Sequence, residues 1–142
     1  MLHTYAPRAQ EKLYFENQAG QLFYHPAGYV RLAWSSERTT TEIVKAYYEQ
    51  ALALLLRTTS HLILSDHGQR VPLLPEAQSW LTTNWIPRAI SQAHAYHCAI
   101  VEGVNPMHRL STQSVVSAAP PGFIFKRFDT IAEAEAWLLS IA

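Results

Sequence analysis

Several residue types that build functional sites are scarce in this chain. Its 142 residues include one cysteine, five glycines and two methionines, and eleven basic side chains are cancelled by eleven acidic ones. The lone thiol, Cys98, can form no internal disulfide. Its neighbours Ala99, Ile100 and Val101 mark a buried strand rather than a reactive position, which fits a reducing cytoplasm. A chain with no net charge and no basic stripe has nothing with which to neutralise a phosphate backbone, so nucleic acid is excluded as the expected partner. No segment approaches the roughly 18 apolar residues of a membrane span, and residues 1–10 lack the apolar stretch of a signal peptide. A Gly-rich phosphate loop, a Gly-x-Ser-x-Gly elbow and short-spaced pairs of metal ligands are also missing. The expectation is a soluble, cytoplasmic protein with no cofactor and no catalytic residue assigned.

What the chain does contain is material for one core. Hydrophobic residues make up 49% and charged ones 15%, and the length is that of a single domain covering residues 1–142. Leu13 to Phe15 and Leu22 to Tyr24 flank Asn17-Gln18-Ala19-Gly20, the pattern of a hairpin. In the next strand, Tyr29 to Trp34, Val30, Leu32 and Trp34 form the core face. Tyr29, Arg31 and Ala33 form the other, as in a sheet covered on one side.

Thr39 and Glu42 have capping-box spacing, and Ile43, Tyr47, Ala51 and Leu54 recur at helical intervals behind them. Leu62 to Leu64 is a buried strand ending in the loop Ser65-Asp66-His67-Gly68. Pro75 starts a helix whose apolar face carries Ala77, Trp80, Leu81 and Trp85, and Pro87 is expected to break it. Tyr96 to Val101 is another strand. Asn105-Pro106 opens a helix to about Val116, Phe123 to Phe128 is a strand, and Thr130 with Glu133 caps a last helix. This order predicts an α/β fold, a mixed β-sheet packed with α-helices in two layers.

The succession of hairpin, long helix, the strand Leu62 to Leu64, a helix bearing Trp80 and Trp85, the strand Cys98 to Val101 and a closing strand and helix resembles the STAS-like family. Anti-sigma-factor antagonists typify that family. Trp80-Leu81, Ala99-Ile100-Val101 and Phe128-Asp129 with Ala134, Ala136, Trp137 and Leu138 carry the resemblance from about Leu22 to Leu139. It implies a non-catalytic regulatory or protein-interaction module of bacterial type. It also implies a partner that meets the loop after Leu64 and the first half of the Pro75 helix. Family antagonists place a phosphorylatable serine in an Asp-x-Ser-Gly-like turn there. Here His67 stands at that position, so the resemblance does not extend to a phospho-switch.

Ligands of open α/β sheets collect beyond the carboxyl ends of parallel strands. That rule, with the resemblance, makes Asp66, His67, Gly68, Gln69 and Asn105 the candidate ligand- or partner-binding residues, with Glu102 and Gly103 nearby. Asp66 and His67 have the chemistry of an acid/base pair, although residues of these types beside a glycine are more often turn formers. His94, His97, Cys98 and His108 are metal-competent types, yet His97 and Cys98 point to opposite faces of a strand, so no metal site is expected. Trp34, at a strand end, is free to touch a partner. The aromatic content motivates the alternative reading, a small apolar ligand or lipid in a cleft, and the hairpin edge allows a homodimer.

Overall fold

The computed structural model describes residues 10–68, 70–103 and 106–141. Six strands lie in the sheet in chain order: β1 (Lys12–Asn17), β2 (Gly20–His25), β3 (Tyr29–Trp34), β4 (Leu62–Asp66), β5 (His97–Val101) and β6 (Ile124–Phe128). The first three pair antiparallel and the last four parallel, so the sheet is mixed. The helices are α1 (Thr41–Thr58), α2 (Pro75–Trp80), α3 (Ile86–Ala93), α4 (Pro106–Ala118) and α5 (Ile131–Ile141), with one π-helical turn, Leu81–Trp85, joining α2 to α3. The α/β class and the mixed sheet are those expected.

Three successive crossovers step in one direction, which places α1, α2–α3 and α4 on the same face. Their core joins Leu22, Val30, Leu32, Trp34 and Ile63 of the sheet to Tyr47, Ala51, Leu54, Trp85, Ala89 and Val115 of the helices. On the opposite face Ala134 and Leu138 of α5 pack against Tyr29, Leu62, Leu64, Ala99 and Val101. Every residue of β3 is therefore buried. The expectation of a strand covered on one side gives way, because α5 and Glu11 cover the Tyr29 and Arg31 face.

Local details follow from capping and turn chemistry. The N-cap of α1 is Thr40, one residue later than expected: its hydroxyl accepts from the Ile43 amide at 3.2 Å. Thr41 instead donates its hydroxyl to Glu76 at 2.8 Å and ties α1 to α2. At the start of α5 the Thr130 hydroxyl accepts from the Glu133 amide at 3.2 Å, the capping half of the expected box, and donates to the Glu133 carboxylate at 2.9 Å. In the hairpin, Asn17 Oδ1 accepts from the Ala19 amide at 2.8 Å.

Pro87 does not end its helix. The π-helical turn just before it shifts the Ile86 amide onto the Leu81 carbonyl, and this wider winding relieves the clash that a proline ring makes in an α-helix. Trp85 is thereby turned inward, where its indole N–H donates to the Tyr48 carbonyl at 2.7 Å.

Candidate functional site

The parallel half of the sheet has no point at which strand order reverses, so no crevice opens in its middle. Polar groups gather instead where β3 and β4 end and the chain turns into α1 and α2. After β4 the His67 amide donates to Val101 O at 3.0 Å, which extends the β4–β5 ladder by one residue. The chain then folds back: the Arg70 amide donates to His67 O at 2.8 Å, and Gly68, at φ 52°, takes the left-handed conformation such a turn needs. The turn delivers Arg70 into the interior, where 5% of it is exposed.

A chain of hydrogen bonds runs through this region. Trp34 Nε1 donates to Ser65 Oγ at 3.0 Å, and Ser65 Oγ lies 3.0 Å from His67 Nε2. His67 Nδ1 meets His108 Nε2 at 2.7 Å, Thr112 Oγ1 stands 3.2 Å from that same nitrogen, and Arg70 Nε donates to His108 Nδ1 at 3.4 Å. Arginine is only a donor, so His108 accepts at Nδ1 and carries its proton on Nε2. His67 must then accept at Nδ1 and donate from Nε2 to Ser65. Burial, reinforced by the charges of Arg70 and Arg127, holds both imidazoles in the neutral form: His67 well below its ordinary range, His108 down to about 3.

Such an order of groups has the outline of a serine, a histidine and an orienting third residue. The proton positions run the wrong way for nucleophilic chemistry. With His67 donating to Ser65 and Trp34 donating to it as well, the serine is an acceptor with no base to take its proton. The arrangement holds β3, β4 and α4 together.

Asp66 and His67, adjacent in sequence, project to opposite faces of the sheet. Asp66 Oδ2 lies 3.2 Å from Arg31 Nη1, and Glu11 grips the same guanidinium with two bonds of 2.9 Å, all three groups being buried. The acid/base pair is therefore not assembled, and neither side chain is presented to a docking partner. Gly68 is partly exposed, while Gln69 and Asn105 lie outside the described residues. The Glu102 side chain is buried and paired with Arg127, with Arg109 3.8 Å away. Gly103 has no room for a side chain: a Cβ would lie 2.7 Å from Gly68 O and 3.2 Å from His108 Cδ2. The β4 and β5 loops thus interlock.

The metal-competent residues are dispersed. His108 is on His67, Cys98 is in the helix-side core, His97 stacks edge-on to Trp137 at 5.9 Å and His94 is the left-handed cap of α3. No group of three His, Cys, Asp or Glu is arranged to hold a metal among the described residues. Trp34, expected to be free for a partner, is buried, with its ring 4.8 Å from Tyr47 and 4.4 Å below the Arg70 guanidinium.

A cavity of about 310 Å³ lies beside Arg70 between the segments that follow β3 and β4. Trp34, Val44, Pro72, Leu73 and Ala77 supply its apolar lining, and Glu37, Arg38 and Arg70 its charges. Sequence reasoning located this end of the sheet but missed Arg70. Its one signal was an arginine two residues after Gly68, in a loop that turns back on itself.

Comparison with family models, with curated proteins and with solved structures finds no match to the chain. No helix among the described residues is long and apolar enough to cross a membrane.

Proposed function

We propose that the chain is a non-catalytic STAS-like module of regulatory type that binds a protein partner at the carboxyl ends of its parallel strands. The observation that carries this reading is the exposure of three large apolar side chains there. Leu74, at the start of α2, is 49% exposed, and Met107 and Leu110, on the first turns of α4, are each 63% exposed. Apolar side chains held out of a core at the ends where loops converge are the raw material of an interface. The proton order of Ser65, His67 and His108 supports the non-catalytic part of the reading.

A native mass spectrum of protein purified gently from its own cells tests it. The expected result is a complex with a second polypeptide, lost on Leu110→Arg and retained on Leu139→Arg, a comparable exposed leucine on α5. A bare chain from all three preparations overturns it. The cavity beside Arg70 favours a second reading, a small-molecule-binding domain, for which the same spectrum would carry a small additional mass.

A further inference from the structure

Arg70 is a buried cation without a carboxylate partner among the described residues. Its guanidinium stacks 4.4 Å over Trp34 and its Nε donates to a neutral imidazole. Desolvation weighs against its charge, and a hydrogen bond with the Tyr48 phenol, together with the Tyr47 phenol and the Cys98 thiol, offsets part of that. The contrast with Arg31 is direct. Arg31 is equally buried and holds two carboxylates, with three bonds between them. Arginine stays protonated under all ordinary conditions, so removing its charge from water without a partner costs several kcal/mol.

That charge is a wall of the 310 Å³ cavity. The volume lies at the lower end of small-molecule sites, and the lining pattern, mostly apolar with a few placed polar groups, is that of a ligand pocket. Arg38 and Arg70 against Glu37 leave the wall with one net positive charge, two positive and one negative. A single negative charge completes it. A doubly charged phosphate would meet Glu37 as well, whereas a carboxylate matches the planar guanidinium fork with one charge.

We infer that the cavity between the β3–α1 and β4–α2 segments binds a small organic monoanion, a carboxylic acid with an apolar body, with Arg70 as its anchor. The inference rests on the ligand-binding reading and adds the charge and class of the ligand. The carboxylate lies against the Arg70 fork, and the apolar body lies along Val44, Leu73 and Ala77. Trp34 holds the guanidinium flat and keeps water from its lower face. The immobile cation makes the site preorganised, so little ordering is left to be done on binding.

Calorimetric titration with hexanoate and 3-phenylpropanoate, set against hexanamide and 3-phenylpropanamide, tests the inference. The acids should bind, and the neutral amides should bind about tenfold more weakly or worse, the scale set by one charge-assisted bond. Arg70→Met should erase the preference for acids. It should leave the thermal midpoint of the empty protein unchanged or raised, because it removes a buried charge that no carboxylate among the described residues pairs with. Arg70→Lys, which keeps the charge and loses the fork, should retain part of the preference and serves if the methionine variant does not fold. Equal binding of acids and amides would preserve the ligand-binding reading and overturn the anionic anchor. Binding of neither would overturn both.

Discussion

His67 Nδ1 lies 2.7 Å from His108 Nε2, so the proton carried by His108 bridges two buried neutral imidazoles. Neither ring can take a second proton without placing positive charge beside Arg70. The native form therefore requires both to be neutral.

Acid should destabilise the fold accordingly. In the unfolded chain each ring protonates near pH 6.5, whereas in the native protein His108 does so only near 3 and His67 well below its ordinary value. Because the native values are depressed, the stability is fully present above pH 6.5 and drains away as pH falls from there towards 3. His108 alone accounts for about 2 kcal/mol between pH 7 and pH 5. Urea melts at the two pH values measure the loss. In His108→Gln the loss should shrink by about that amount, and an undiminished loss would place the acid sensitivity elsewhere.

Arg31, with Glu11 and Asp66, forms a buried ion triad in which one cation serves two anions. Arg31→Ala leaves both carboxylates in a desolvated place without a counter-charge, and should cost about 3–5 kcal/mol. Glu11→Gln keeps the Asp66 contact and should cost less. Guanidinium denaturation of the two variants gives the ordering; a milder effect for Arg31→Ala would mean that water reaches the carboxylates.

Burial pushes the Cys98 thiol up to about 12. At pH 8 only about one thiol in ten thousand is then ionised, and the thiolate is the reactive form. A colorimetric disulfide reagent should leave Cys98 untouched in the native protein and modify it promptly in denaturant. Prompt native-state labelling would show that the core around Cys98 opens readily.

Gly103→Ala places a methyl group 2.7 Å from Gly68 O and 3.2 Å from His108 Cδ2. A carbonyl cannot yield as a flexible side chain can, so the β4 and β5 loops must part, at about 1–3 kcal/mol. The nitrogen chemical shifts of the His67 and His108 rings should move in the same variant, since the distortion reaches their shared bond. A stable variant with unmoved shifts would show that the loops have room to spare.

Much of the architecture could be read from periodicity. All six strands and four of the five helices were expected close to their places, because alternating or helical apolar spacing is a local property; α3, beyond Pro87, was not. The site was legible only in position. Asp66 and His67 were read as a loop after a strand ending at Leu64, whereas β4 runs through Asp66, and their consumption by Arg31, Ser65 and His108 depends on partners 35, 2 and 41 residues away. Pairings across such distances leave no local pattern. Arg70 was passed over for a related reason: burial of a charged residue is decided by a turn and by the Trp34 ring beneath it. Pro87 misled because its usual effect on an α-helix is cancelled by a π-helical turn that no composition rule marks.

The helices that cover the two faces of the sheet come from different parts of the chain. The face packed by α1, α2–α3 and α4 takes its cover from segments that alternate with the strands along the chain. The face of Tyr29, Leu62, Leu64, Ala99 and Val101 is covered by α5, with Ala134, Leu138 and the Glu135 carboxylate that receives the Tyr29 hydroxyl. Without residues 131–141 the side chains of Tyr29, Leu62, Leu64, Ala99 and Val101 would lack the cover that Ala134 and Leu138 supply.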